Sequence, residues 1–307
     1  MTQSEIGIII VTYNSASEIG ACLDAAAQSG AEILVVDNAS SDATLAEVSS
    51  RNVRFIANKT NRGFAAAINQ GVSALNCSYI VFLNPDVTLH TGLEPLRHAC
   101  SLPGVAGASG QLLDARGRPQ TGFMVRRLPT PGALVLESLL LNRIWPGNPV
   151  NRRYRALDLD YSKDLQVEQP AGAFFMVRRS VWEELGGLDE RFFPVWFEDV
   201  DFCRRIWDRG MILRYLPEVV ASHTGARSIS SLALEMRRFY WYRSLLQYSA
   251  KHFSPSRFRL VCLAVVTGSI LRGIGESARQ KRLKAIAVFS KVVRLAWHSF
   301  WSGAPVS

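Results

Sequence analysis

Residues Ile6 to Val36 read IGIIIVTYNSASEIGACLDAAAQSGAEILVV. The ends, IGIIIV (Ile6 to Val11) and EILVV (Glu32 to Val36), are short β-rich apolar runs. Between them, Ser17 to Ser29 carries Ala and Leu on one helical face, so the segment is a β-α-β unit. The alternation continues. Arg54-Phe55-Ile56 is a third strand, Phe64 to Asn76 a second helix and Tyr79 to Leu83 a further strand. Strands alternating with helices imply an α/β fold with a mostly parallel central sheet and helices on both faces. In such sheets ligands lie beyond the carboxyl ends of the strands. Here those ends carry Thr12-Tyr13-Asn14, Asp37-Asn38-Ala39-Ser40, Asn58 to Gly63, and Asn84-Pro85-Asp86, all of them polar groups.

The chain of 307 residues is 48% apolar and only 20% charged, which excludes a disordered chain and suits one large domain with an appendage. Met-Thr-Gln-Ser-Glu has no basic n-region and the apolar run after it is short, so a cytoplasmic location is expected. Five cysteines stand singly with no CxxC pair, as small buried hydrophobes in a reducing compartment do. Residues 235 to 307 hold 13 Lys and Arg against 2 Asp and Glu, a net +11, leaving 22 against 24, or −2, for residues 1 to 234. That asymmetry divides the chain into a domain at 1–234 and a basic, amphipathic helical region at 235–307.

From Leu102 to Gln169, with prolines at 103, 119, 129, 131, 146 and 149, loops and short helices are expected. Ala171 to Val177 reads as a strand, followed by a helix from about Ser180 to the Gly186-Gly187 pair and a short strand at Met211 to Tyr215. Beyond Leu234 the pattern is helical, basic and aromatic, with an apolar run from Leu260 to Leu271. Twelve residues do not span a bilayer as a helix, which takes about 20. Two readings stand for this region: contact with an anionic membrane surface, or a helical hairpin packed on the main domain.

Each polar cluster has a structural and a chemical reading. Asp37 suits a nucleotide base or ribose, yet Asp-Asn-Ala-Ser is also a turn, with Asp42 placed to cap the next helix. Asn61-Arg62-Gly63 opens an Ala-rich helix whose N-terminus favours an anion. Pro85 ends the ladder of its strand and holds Asp86 at the rim, where one carboxylate with substrate phosphates and water suffices for Mg2+ or Mn2+. Glu198-Asp199-Val200-Asp201 either complements a helix dipole or, behind Phe192, Phe193, Trp196 and Phe197, supplies a general base beside sugar-stacking rings. His223, in Ser-His-Thr-Gly, is a candidate metal ligand.

In order, IIIVTYNS, VVDNASSD, NRGFAAAINQG, FLNPDV, AGAFFMVRRSVW, GGLDERFF, FEDVDFCRR and SHTGARS resemble the family 2 glycosyltransferases of GT-A fold, over roughly residues 5 to 230. Within them the chain is similar to rhamnosyltransferases of bacterial polysaccharide assembly. The resemblance implies a nucleotide-diphosphate sugar donor, with Thr12, Tyr13, Asn14, Asp37, Asn38, Arg62, Gly63, Asn84 and Asp86 around it. It implies Mg2+ or Mn2+ on Asp86 and His223, since Asn84 stands where many members carry the first Asp of DxD. It implies Asp199 as general base and Glu198 facing the acceptor. dTDP-L-rhamnose is the expected donor, with UDP-galactofuranose, UDP-N-acetylglucosamine or GDP-mannose as alternatives. The acceptor is expected to be a lipid-linked glycan or polysaccharide at the inner face of the membrane. Nucleic acid is not an expected partner. The rival classes are a nucleotidyltransferase, whose Gly-rich loop VTYNSAS lacks, and a non-catalytic glycan-binding or membrane scaffold protein.

Overall fold

A computed structural model describes residues 4–225, 234–280 and 284–304. The first three residues and the end of SHTGARS, 226 to 228, lie outside the described residues. The chain divides into two compact units: Met1–Leu128, Leu159–Glu190 and Glu198–Ser231 form one, and Pro129–Asp158, Arg191–Phe197 and Leu232–Ser307 the other. The helical unit thus takes up two earlier segments besides the region after residue 234.

The first unit is built on one sheet whose strands, in spatial order, are Arg54–Ala57, Glu32–Asp37, Ile6–Thr12, Tyr79–Leu83, Phe174–Arg178, Val105–Leu113, Ile212–His223 and Val87–Leu89, with Leu165–Val167 also paired to Ile212–His223. Strands β1 (Ile6–Thr12), β2 (Glu32–Asp37), β3 (Arg54–Ala57) and β4 (Tyr79–Leu83) are mutually parallel, joined by α1 (Ile19–Ala27), α2 (Thr44–Ser49) and α3 (Phe64–Ala74). Ile8, Ile9 and Ile10 of β1 are fully buried, each contributing about 1.5–3 kcal/mol by leaving water. Such a two-sided apolar run suits a central strand. The parallel register pairs Thr12 with Asp37 and Asp37 with Ala57, so the polar strand ends do fall on one edge.

The other half of the sheet departs from the sequence reading. After β5 (Val87–Leu89) and α4 (Glu94–Ser101), β6 (Val105–Leu113) is a nine-residue strand where loops were expected. Its small residues have a packing cause. A Cβ at Gly107 would lie 2.6 Å from Met176 O, and one at Gly110 would lie 2.2 Å from Val219 O. Next come β7 (Val125–Arg126), then β8 (Leu165–Val167) and β9 (Gln169–Pro170), and β10 (Phe174–Arg178) runs antiparallel to both β4 and β6. α8 (Arg179–Leu185) and α9 (Glu198–Asp208) follow. The strand expected at Met211 to Tyr215 is β11 (Ile212–His223), which continues through a register shift between Leu216 and Val220. Its far end pairs with β5, setting His223 opposite Val87.

In the second unit, α5 (Pro131–Ser138), α6 (Leu141–Ile144) and α7 (Pro149–Tyr154) accompany α10 (Leu234–His252), α11 (Pro255–Gln280) and α12 (Lys284–Ser302). The apolar run of twelve residues is therefore the middle of a 26-residue helix. By length and composition Pro255–Ala278 is long enough to cross a membrane, but 44% of its apolar window is buried within the protein. One face of α11 packs on α5, where Gly268 admits Ser138 O at a distance that a Cβ would reduce to 1.9 Å. It also packs on α12, with Phe258, Val261 and Val265 buried on α11 and Phe289, Val292 and Ala296 on α12.

Gly110→Ala should lower stability by about 1–3 kcal/mol through overpacking of β6 against β11. Gly92→Ala, where a Cβ meets nothing within 4 Å, is the control. Denaturant titration of both checks this, and equal midpoints for the two variants would show that β6 does not need its glycine.

Candidate active site

The loops that follow β1, β2 and β3 are braced by their own side chains. Asp37 is fully buried and accepts hydrogen bonds from Thr12 Oγ1 at 2.8 Å, Ser40 N at 2.9 Å and Ser40 Oγ at 2.5 Å. It therefore closes the turn and ties β1 to β2. Asn14, at φ 53°, donates its N–H to Ser40 Oγ at 2.9 Å and accepts from Ser41 N on Oδ1 at 2.8 Å. Tyr13 beside it is half-buried, with its N–H on Ser15 Oγ at 3.4 Å. Asn38 is buried and holds the next loop, donating to Asn61 Oδ1 and Gly63 O at 3.1 Å each and accepting from Arg62 N at 3.0 Å. Gly63, at φ 85°, takes a left-handed conformation that favours glycine and opens α3. The Arg62 side chain is exposed. Asp42 accepts from Thr44 N at 3.0 Å and from Ala16 N at 3.1 Å, while the N-cap position of α2 itself is Ala43, which has no capping side chain.

Beyond β4, Asn84 N–H donates to Ala173 O at 2.9 Å, and Asp86 is turned inward, 8% exposed. Its Oδ2 lies 3.5 Å from His223 Nε2. Gln120, which carried no signal in the sequence, orients that imidazole. Its Nε2 donates to His223 O at 2.8 Å and its Oε1 lies 3.0 Å from Nδ1. An amide oxygen only accepts, so Nδ1 bears the proton and Nε2 turns its lone pair toward Asp86. Phe123 stacks on the ring at 5.1 Å. Burial pushes the imidazole below its ordinary value, against the opposing pull of Asp86. A proton on Nε2 or a metal ion between the two groups relieves the opposition of that lone pair to the carboxylate. One carboxylate oxygen and one imidazole nitrogen with an oriented second ring nitrogen fit a divalent ion that takes its other ligands from phosphate and water. Among the described residues no cluster of three or more His, Cys, Asp or Glu forms a protein-only cage.

The second acidic group lies on α9. Asp199 Oδ2 accepts from Gly172 N at 2.9 Å and Oδ1 from Val200 N at 2.8 Å. Gln169 Nε2 lies 3.5 Å from Oδ2. A Cβ at Gly172 would stand 3.0 Å from Asp199 Cβ, so that glycine makes room for the carboxylate. Burial raises the Asp199 carboxyl above its ordinary value, and the two amides and the charge of Arg126 moderate the rise. Glu198 differs. It is 4% exposed and its Oε2 has no hydrogen-bond partner. Burial first, then the neighbouring Asp199 charge, push it well above the carboxylate range. Of the two, Asp199 therefore holds its charge the more readily, because amide N–H groups donate to both its oxygens whereas Glu198 Oε2 has no donor. Gly172 adjoins Ala173, so one short segment touches both the Asn84 to Asp86 turn and the Asp199 carboxylate.

The aromatic approach packs differently from its reading as a sugar wall. Phe192 and Phe197 are buried in the helical unit, with Lys251 over the Phe192 ring and Trp241 and Tyr248 against Phe197. Phe193 sits edge-on to Tyr240.

Glu198→Gln copies the shape of the neutral acid. A carboxyl whose folded-state value is raised stabilises the fold fully below its ordinary value of 4.5 and loses that contribution as pH rises through the raised value. The variant should therefore match wild type at the acid end and melt higher as pH rises. Melting curves across pH check this, and parallel profiles would mean that Glu198 is ionised in the fold.

The model for glycosyl transferase family 2 matches residues 7–186, and that for glycosyl transferase family group 2 matches residues 161–307. The chain is 27% identical to N-acetylglucosaminyl-diphospho-decaprenol L-rhamnosyltransferase of Mycobacterium tuberculosis, over 91% of this chain and 97% of that protein. It is 28% identical to rhamnosyltransferase WbbL of Escherichia coli, over 56% of this chain and 62% of that one. Among solved structures, the mannosyltransferase PcManGT from Pyrobaculum calidifontis, in complex with GDP-Man and Mn2+, superposes with a TM-score of 0.53 at 17% identity, covering 99% of this chain and 85% of that one. TarS of S. aureus (residues 1-349) gives 0.50 at 15% identity, over 97% and 92%. These likenesses agree with the half-parallel sheet and its polar edge in giving a GT-A fold with a C-terminal helical region. With a family model spanning 7–186 of 307 residues, the chain belongs to glycosyl transferase family 2 and is a glycosyltransferase that takes its sugar from a nucleotide donor.

Proposed function

We propose that this enzyme transfers L-rhamnose from dTDP-L-rhamnose to a hydroxyl of a lipid-linked glycan, at the inner face of the cytoplasmic membrane, by a single inverting displacement. The observation that carries the reaction is the Asp199 carboxylate held by Gly172 N–H, on the same segment that ties down the turn bearing Asp86. The choice of rhamnose and of a lipid-linked acceptor is supported by the N-acetylglucosaminyl-diphospho-decaprenol L-rhamnosyltransferase of M. tuberculosis, matched along 91% of this chain.

Thr12, Tyr13, Asn14, Asp37 and Asn38 form the floor of the base and ribose pocket, with Arg62 and Gly63 at its border and Asn84 near the diphosphate. Asp199 takes the proton from the acceptor hydroxyl as that oxygen bonds to the anomeric carbon. The carbon-oxygen bond to the diphosphate breaks, and its electron pair leaves with the diphosphate. Asp86 and His223 would hold Mg2+ or Mn2+, which when bound neutralises charge growing on the leaving diphosphate. Gln120 keeps the His223 lone pair available to that ion. Glu198, neutral, keeps a second negative charge away from the base.

Release of nucleoside diphosphate from a panel of dTDP-, UDP- and GDP-sugars, with and without Mg2+ or Mn2+, tests the reading. dTDP-L-rhamnose should turn over fastest and only with metal. Asp199→Asn should retain donor binding while kcat falls about 10²- to 10⁴-fold. A variant with undiminished kcat removes Asp199 from the role. Gln120→Leu should weaken Mn2+ binding roughly 10- to 100-fold in calorimetry with dTDP and no acceptor. Wild-type affinity in that titration would show that Gln120 does not position the ligand.

A further inference from the structure

We infer that the helical unit docks flat on an anionic lipid bilayer, through the uncovered apolar face of α11 and the basic, aromatic face of α12. This deepens the membrane part of the proposed function and rests on that reading only for its purpose.

On α11, Leu260, Leu263, Ile270, Leu271 and Ile274 are between 42% and 62% exposed. Their spacing, at offsets of 3, 10, 11 and 14 from Leu260, places them on one side of the helix, in a stripe about 21 Å long. The opposite side is the one buried on α5 and α12. The stretch from Leu260 to Leu271 thus carries no charge on any side, and protein covers only half of it. On α12, Lys291, Arg294, Trp297 and Trp301 recur at helical spacing on an exposed face, the two indoles at 48% and 68%. Cationic side chains alternating with tryptophan suit the headgroup layer, where the charge meets lipid phosphate and the ring meets acyl chain.

Charge selects the occupant. Residues 235 to 307 carry 13 basic and 2 acidic side chains, and one of the acids, Glu276, is bonded to Arg238 at 2.5 Å. A second copy would bring the same positive surface to the same face, whereas an anionic bilayer complements it. The neighbours decide the depth. Exposed Lys291 and Arg294 on α12 would enter hydrocarbon if α11 spanned the membrane, so the face lies in the interface.

Flotation of the full-length protein with phosphatidylcholine vesicles, with or without phosphatidylglycerol and without substrates, tests the inference. Wild type should float with the phosphatidylglycerol vesicles and be released by high salt. Ile270→Ser with Ile274→Ser should weaken that binding about tenfold or more. Lys291→Glu with Arg294→Glu should abolish the preference for phosphatidylglycerol. Both variants should keep wild-type circular dichroism and nucleotide binding, so a failed docking face is told apart from a failed enzyme. Absence of wild-type flotation, or unchanged binding by both variants, overturns the proposal. So does resistance to alkaline carbonate extraction, which would mean a spanning helix. A dimer that Ile270→Ser with Ile274→Ser dissociates, without vesicle binding, would assign the face to a second copy and likewise overturn it.

Discussion

The insertion of β10 between β4 and β6, antiparallel to both, is the constraint on which the site depends. Pairing Phe174 with Leu83 sets the residues just outside each strand side by side. Asn84 bonds Ala173, and Gly172 is left to bind Asp199. A wholly parallel sheet would need a crossover at this point and would carry residues 171 to 173 to the far edge. The same half of the sheet brings β11 back against β5, so that His223 meets Asp86 although 136 residues separate them.

Within this frame the carboxyl groups take different roles because their partners differ. Asp37 is satisfied by Thr12 and Ser40 and holds a turn. Asp199 is held by two backbone amides, which favour its charged form at a half-buried place. Glu198, next to it in sequence, has a buried oxygen with no partner and is pushed toward its neutral form. Asp86 faces a nitrogen lone pair that Gln120 has fixed. Chain position predicts none of these differences, since hydrogen-bond partners and burial set the energy of a charge in a protein interior.

The parallel half of the fold was legible because a central strand buried on both faces must be an unbroken apolar run, as IGIIIV and EILVV are. VAGASGQLL was not, because β6 is packed so closely by Met176 O and Val219 O that small residues replaced the branched ones that mark a strand. The end of β11 was hidden by Pro217 and Glu218, which the strand passes at its register shift. The rings from Phe192 to Phe197 showed that something aromatic was packed, without saying against what. Gln120 is one amide in a loop, visible only once His223 lies beside it.

Local pattern alone settles that this chain makes β-α-β units with polar strand ends on one edge, because the period of apolar residues and the chain breaks at glycine and proline are properties of short segments. It also settles that the positive charge is gathered in the last quarter of the chain. Which acid is charged, which histidine nitrogen is free and which side of α11 is bare were decided by tertiary structure. Each of these depends on atoms brought together from distant segments, and their desolvation and hydrogen bonding have no counterpart in a local stretch of residues.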